Sequence, residues 1–384
     1  MRICLYTETA LPKLGGQELV VDALARNLLE LGHEPIVLAQ RPRGRWRVDD
    51  RQLPYPVVRH PRFWSTHRFV AWYRHWLLRL QRRRPFDVLH CHSVYPCGYL
   101  AALCREQLNV PVVITSHGGD VHAGNARLKK HGLPTRFALA LRSADGLVAI
   151  SRFTADAFRA LSPQLPPIAM IPNGVDLTPF RQHPPRPASL GPRIRAGEYL
   201  FFLGRLHRRK GIDVLLAAVA TLKQQHPQVQ LVVAGAGDEL PALTAQAEQL
   251  ALTENVEFVG AVSGDVKTWL LQNARCQVVA SRQWESFGLV VIEAFAAGRP
   301  VVVSDLPGMA DLITPSVTGA VAPPEDVAAL AAALAPLVAD RQLADRWGQA
   351  AQATVAQYSW RTVTERHVEL FDSLLAARSQ RHVA

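Results

Sequence analysis

Residues 281–303 read SRQWESFGLVVIEAFAAGRPVVV, and this stretch decides how the chain is understood. An apolar run ends at Ser281, Gln283–Ser286 have the composition of a loop, and a helix is expected from Phe287 or Gly288 to Gly298, a residue suited to the position just past a helix end. A second apolar run, 299–305, follows as a buried strand. Strand, helix, strand is one turn of a parallel winding. Within it Glu285 and Glu293 stand eight residues apart, which corresponds to as much as about 12 Å at ~1.5 Å per residue. A core helix has no use for two carboxylates there. The free amides at such a helix start favour an anion, phosphate above all, and a carboxylate beside a diphosphate would repel it. Glu285 and Glu293 are therefore read as acceptors for hydroxyl groups. A nucleotide-sugar offers hydroxyls on both sides of its phosphates, sugar at one end and ribose at the other.

The same rhythm runs through the whole chain. Strands are expected near Ile3–Tyr6, Pro35–Ala39, Val88–Cys91, Val112–Thr115, Gly146–Ile150 and Ala169–Ile171, with helices such as Gln17–Leu31 between them. From Ser162 to Gly197 the texture becomes dense in proline, and the alternation then restarts with YLFFLG at 199–204. With 384 residues, 48% of them hydrophobic, the chain can bury two cores of ordinary size. The expected fold class is α/β, with two Rossmann-like doubly wound domains facing each other across a cleft. The expected divisions are 1–175, a Pro-rich linker at 176–198, a second domain at 199–360, and a C-terminal helix at 361–384 that returns to the first domain. Doubly wound sheets bind ligands at the carboxyl ends of their strands, and most polar clusters of this sequence lie there.

No run of about 18 uncharged apolar residues occurs, and MRICLYTETALPKLGG reads as a strand and a Pro/Gly turn rather than a signal peptide. A cytoplasmic location is expected, with the five cysteines as reduced thiols, since none forms a C-x-x-C pair. The net charge of +11 is unevenly placed: residues 1–180 carry 24 Lys and Arg against 13 Asp and Glu, and the remainder carries 19 of each. An anionic partner for the N-terminal half follows from this.

Phosphates need cations, and LGRLHRRKG at 203–211 places Arg205 and Lys210 directly after a strand. Gly235-Ala-Gly-Asp238 follows the next strand but has Leu240 where a dinucleotide fingerprint needs its third glycine, which weighs against a nicotinamide enzyme. His90-Cys-His92, with Cys97 and Cys104 nearby, has no second ligand pair at zinc spacing, so no metal site is expected.

Taken together, Glu285-Ser-Phe-Gly-Leu-Val-Val-Ile-Glu293, Gly204-Arg-Leu-His-Arg-Arg-Lys-Gly211, Pro172-Asn-Gly-Val-Asp176 and Phe258-Val-Gly260 resemble the retaining glycosyltransferases of the GT-B fold, of the family 4 type also called glycosyl transferases group 1. The resemblance runs from Gly15-Gly16 to Tyr358-Ser-Trp360. It implies that Glu293 holds the ribose hydroxyls, Glu285 the hydroxyls of the transferred sugar, and Arg205 with Lys210 the diphosphate. Backbone amides of Phe287, Gly288 and Leu289 would assist, and the loop around Val259 and Gly260 would meet the nucleobase through main-chain atoms. In the N-terminal domain it implies that Gly16 faces the diphosphate and His117 the donor sugar, with Asp120 open to donor or acceptor hydroxyls or to a structural part.

The implied reaction is transfer of a sugar from a nucleoside-diphosphate sugar to an acceptor hydroxyl, with retention of anomeric configuration. Neither a cofactor nor a metal is implied, because the protein's own cations neutralise the leaving diphosphate. A sugar-nucleotide epimerase of the same fold and a non-catalytic nucleotide-sugar binding protein are the alternatives. The acceptor would be a saccharide or a lipid-linked molecule of envelope, exopolysaccharide or glycolipid synthesis, and nucleic acid is not an expected partner. Residues 62–85, RFWSTHRFVAWYRHWLLRLQRRRP, put Phe69, Tyr73, Trp76, Leu77 and Leu80 on one helical stripe, with arginines around it and Trp64 and Trp72 off it. The stripe fits packing against the sheet, while the basic surround suits peripheral docking on an anionic membrane.

Overall fold

A computed structural model describes residues 1–13, 15–42, 48–62, 68–122, 124–130 and 132–383. The chain forms two compact units, one of residues 1–173 with 360–384 and the other of residues 174–359. The segment 176–198, expected as a linker, is docked on the second unit. Arg193 donates to the Thr253 carbonyl and to Glu254, and Gln272 reaches the carbonyls of Phe180 and Gln182.

The first unit holds seven parallel strands: β1 (Arg2–Tyr6), β2 (Glu34–Gln40), β3 (Val57–His60), β4 (Val88–Cys91), β5 (Val112–Ser116), β6 (Gly146–Ala149) and β7 (Ile168–Met170). Their order in the sheet is β3-β2-β1-β4-β5-β6-β7. Winding begins at β1, proceeds outward to β3, and restarts on the other side at β4. That reversal between β1 and β4 is the topological switch point, where loops at the carboxyl ends part to either side. One face of the sheet packs Cys4, Tyr6 and Leu89 against Tyr73, Leu77 and Leu80 of the helix Val70–Arg83. Tyr73, Leu77 and Leu80 of the stripe are therefore core with Phe69 partly buried against them, as the packing reading had it, while Trp76 is half-buried. Trp72 remains 54% exposed, and Arg68, Arg82, Arg83 and Arg84 are exposed as well. Trp64 lies outside the described residues. The opposite face packs Ile3 and Leu5 against Val21, Leu24 and Leu28 of the helix Gly16–Glu30, and against Val363 and Phe371 of the last helix, Trp360–Val383.

The second unit repeats the plan with six parallel strands: β8 (Tyr199–Leu203), β9 (Gln230–Ala234), β10 (Val256–Gly260), β11 (Cys276–Val279), β12 (Val301–Ser304) and β13 (Gly319–Ala322), in the order β10-β9-β8-β11-β12-β13. Its switch point lies between β8 and β11. Purely parallel strands buried on both faces read as continuous Val, Ile and Leu runs, which is why YLFFL and VVVS were visible in the sequence. The edge strands β3 and β13, four residues each, were not singled out. All five cysteines are buried and free. Among the described residues no single helix is long and apolar enough to cross a membrane.

Candidate functional site

In the second unit, chemistry gathers at the switch point. After β8 the chain turns through Arg205–Lys210 and reaches Gly211, whose φ of +63° suits glycine and whose Cβ position lies 2.0 Å from the Ala280 carbonyl oxygen. No side chain fits there, so glycine lets this loop lie directly on the end of β11. The contact brings Lys210 to Glu285: Lys210 Nζ donates to Glu285 Oε1. Ser281 Oγ donates to the same oxygen at 2.9 Å, and Arg209 stands 3.7 Å from it. Arg209 in addition lies over the Trp284 ring at 4.7 Å and donates to the Trp284 carbonyl. Arg282 forks Asp213 at 2.6–2.7 Å and reaches Glu325, which pins the loop from its outer side. Glu285 is thus held by a lysine and a hydroxyl through one oxygen, with its side chain 13% exposed. Arg205 is exposed and has no ion pair among the described residues.

The helix after Glu285 runs Leu289–Ala296, one or two residues later than the Phe287 or Gly288 start expected from the sequence, because Gly288 takes φ +85° as its N-cap. Gly298, at φ +69°, ends it as expected. Phe287 is buried and packs edge-on to Tyr358, so its side chain is core and only its backbone borders the helix start. On the inner turn of the helix, Glu293 accepts from Lys267 Nζ at 2.6 Å. Lys267 belongs to the helix Gly264–Gln272 and was not among the residues expected. Val259 sits where the pairing of β10 with β9 slips between Phe258 and Gly260, a bulge that frees the main chain of Val259 from the ladder.

In the first unit the switch point is lined by histidines. His92 follows β4 and His117 follows β5; His92 Nδ1 and His117 Nε2 lie 3.1 Å apart, with the rings nearly parallel. His90 stacks near His92 at 4.2 Å and bonds the Thr115 hydroxyl at 2.7 Å, while His367 of the last helix approaches His90 at 5.3 Å. Burial holds all four neutral: it pushes His117 and His367 down to about 4, and His90 and His92 well below the usual histidine range. Among the described residues no three His, Cys, Asp or Glu are arranged to hold a metal ion.

Asp120 accepts from the Val94 amide at 2.7 Å and from Ser116 Oγ at 2.5 Å, one bond on each carboxylate oxygen, so it clasps the loop that carries His117. Gly16 is exposed as the first residue of its helix, and the preceding Gly15 caps it without a side-chain bond. One turn on, Glu18 is buried. Burial opposes its ionisation, but hydrogen bonds from Lys13 at 2.8 Å and Thr9 at 2.5 Å outweigh that and leave its carboxyl below the usual range.

Two doubly wound parallel sheets, each with polar residues collected at its switch point, match the plan of the GT-B fold. Comparison with known proteins narrows this. Residues 14–179 match the family model Glycosyltransferase Family 4, and residues 194–354 match Glycosyl transferases group 1. The chain is 32% identical over 303 residues to a glycogen synthase of Mycobacterium tuberculosis, covering 77% of this chain and 70% of the relative. It is 30% identical to a phosphatidyl-myo-inositol mannosyltransferase of the same organism, over the full length of both. Among solved structures, sucrose-phosphate synthase from Thermosynechococcus elongatus aligns with a TM-score of 0.79 at 25% identity, covering 98% of this chain and 99% of that one. Anabaena HepE in complex with UDP aligns at 0.77 with 21% identity, covering 97% and 100%. The chain belongs to the family 4 GT-B glycosyltransferases, and it is a glycosyl-transferring enzyme.

Proposed function

We propose that this enzyme moves a hexose from a nucleoside-diphosphate sugar to a hydroxyl of a saccharide or lipid-linked acceptor, with retention at the anomeric carbon and without a divalent metal, in cell-envelope, exopolysaccharide or glycolipid synthesis. The observation that carries this reading is the pair of lysine-held carboxylates, Glu285 with Lys210 and Glu293 with Lys267, at the switch point of the second sheet. Each glutamate keeps an oxygen beyond the one its lysine occupies. A sugar hydroxyl at Glu285 and a ribose hydroxyl at Glu293 can donate to those oxygens, while Lys210 and Arg205 supply positive charge to a diphosphate. The freed main chain at Val259 and Gly260 suits a nucleobase edge, and Gly16 with the first amides of its helix suits a phosphate oxygen. His117 serves the donor sugar. Asp120 acts at one remove, by holding the His117 loop.

In the reaction the bond from the anomeric carbon to the diphosphate oxygen breaks, and the bond to the acceptor oxygen forms on the same face. The acceptor proton passes to the departing phosphate. Lys210 and Arg205 stabilise the charge that builds on the leaving group, which is where fixed cations contribute most. Support for the donor comes from Anabaena HepE, solved with UDP and glucose, and support for a lipid acceptor from the phosphatidyl-myo-inositol mannosyltransferases. The exposed arginines and Trp72 on the helix Val70–Arg83 favour acceptors presented on an anionic membrane, to which the enzyme docks from the cytoplasm.

The test is incubation with UDP- and GDP-hexoses in excess chelator, with lipid and saccharide acceptors, read by mass spectrometry and by NMR of the new anomeric proton. A glycosylated product with the donor's configuration is expected. An epimerised donor, an inverted product, or transfer that needs added magnesium or manganese would overturn the reading.

A further inference from the structure

The histidines of the first unit are packed so that one of them has little choice of protonation state. His92 is 1% exposed, and its Nε2 is buried with no hydrogen-bond partner. Its main chain is tied down by Gln17 Nε2, which donates to the His92 carbonyl at 2.9 Å and to Thr7 Oγ1 at 2.8 Å. The one bond its ring makes is the 3.1 Å contact of Nδ1 with His117 Nε2. Burial keeps both rings neutral, so a single proton lies between these two nitrogens.

Two arrangements are possible. If His117 Nε2 donates, His92 must carry its own proton on the enclosed Nε2, and a buried N–H is left without an acceptor. If His92 Nδ1 donates, the enclosed Nε2 holds only a lone pair. Orphaned buried N–H groups are the rarer and costlier of the two faults. The second arrangement places the remaining proton of His117 on Nδ1, which has no partner among the described residues and belongs to a half-buried side chain.

We propose that His92 is a positioning residue that fixes His117 as the Nδ1–H tautomer, so that His117 meets its substrate as a hydrogen-bond donor and not as a base. This rests on the reading of His117 as a donor-sugar contact. The chemistry then specified is an oxygen lone pair on the substrate side of His117, on a sugar hydroxyl or a phosphate. Clamping by His92 also holds the ring plane, which removes one degree of freedom from the contact.

Long-range 1H–15N correlation spectra of the full-length protein labelled with [15N]histidine test this directly, with His117 assigned by its loss in His117→Gln. The expected result is a proton on Nδ1 of His117 in the wild type, its transfer to Nε2 in His92→Phe, and its return to Nδ1 in His92→Asn, whose amide can donate. Kinetically, His92→Phe should lower kcat by about tenfold with little change in the KM for the nucleotide-sugar, and His92→Asn should recover most of it. A wild-type His117 protonated on Nε2 would overturn the proposal even if His92→Phe fails to fold. An unchanged tautomer in a folded His92→Phe would do the same. The tautomer is read without turnover, so failure to find glycosyl transfer would sink the proposed function and leave this inference to its own outcome.

Discussion

The two sheets reach the same topological position with opposite chemistry. At the switch point of the first, His90, His92 and His367 are packed out of water and the half-buried His117 is kept neutral with them; at that of the second, lysines and glutamates stand in pairs with 13–29% of each side chain exposed. Opposite solvation explains the difference. A neutral ring tolerates burial and gains directional hydrogen bonds from it, whereas a paired charge keeps its strength only where some solvent or a partner remains. The first unit therefore offers a fixed donor direction, and the second offers charge that can be shared with a ligand.

The largest effect that can break this comparison is at the Lys210–Glu285 pair. Glu285→Ala and Lys210→Ala are each expected to lower kcat/KM by about 10- to 100-fold, the equivalent of one charge-assisted hydrogen bond of roughly 1.5–3 kcal/mol. Because each removes the other's partner, the double variant should lose less than the sum of the two. Additive losses in steady-state kinetics would mean that the lysine and the glutamate act separately.

Glu293→Gln should be smaller and of another kind. It turns the 2.6 Å ion pair of Lys267 into a hydrogen bond to a neutral amide and takes a negative charge from the proposed ribose contact, so nucleoside-diphosphate affinity is expected to fall about tenfold by calorimetry while kcat is nearly kept. A collapse of kcat with unchanged affinity would reverse the roles given to the two glutamates.

Acid should separate the two units. Histidines whose folded pKa lies below the unfolded value of about 6.5 bind fewer protons folded than unfolded, so their contribution is complete above pH 6.5 and is lost as pH falls toward 4. His60, His117 and His367 sit at about 4, with His90 and His92 lower still, and all five belong to the first unit. Hydrogen exchange between pH 7 and 5, corrected for the intrinsic rate, should show protection falling in residues 1–173 and 360–383 before it falls in 174–359. Equal loss in both would contradict the burial of the histidine group.

The smallest expected effect is on the surface. Co-sedimentation with anionic vesicles should weaken with salt and drop further in Trp72→Ala combined with Arg82→Ala and Arg83→Ala, at about 1 kcal/mol for each charge near the membrane. Recovery that ignores both salt and these substitutions would leave the charge of the first unit without this role.

Much of this was legible in the sequence because it is local. The apolar runs of the central strands, the glycines at 211, 288 and 298, and the spacing of Glu285 and Glu293 all report on short stretches of chain. Lys267 was missed because its meaning lies 26 residues away, on another helix, and nothing about a lysine in GDVKTWLLQ announces a partner. Its one signal was a charge on a helix otherwise half apolar. In the sequence His92 reads as a partner of His90, because residues two apart on a strand share a face. The decisive fact was that His92 and His117 are each the first residue beyond neighbouring strands β4 and β5, which sheet order alone reveals. Asp120 looked chemical in sequence, since a carboxylate after a strand does; that both its oxygens serve the loop depends on Val94 and Ser116 arriving from different strands.

The last helix, Trp360–Val383, closes the core of the first unit with Val363 and Phe371 although it follows the whole of the second in the chain. In the logic of gene assembly, the second unit is an insert spliced into a split host. Its two ends meet, since the Val175 amide donates to the Tyr358 carbonyl at 2.8 Å and Val175 bridges Ser359. Such an insert can be exchanged as a cassette, whereas the host tolerates no cut at 359. A chain stopped there would expose the apolar face that Phe371 covers. Recombination between relatives is thus free to trade one unit only if it takes both junctions at once.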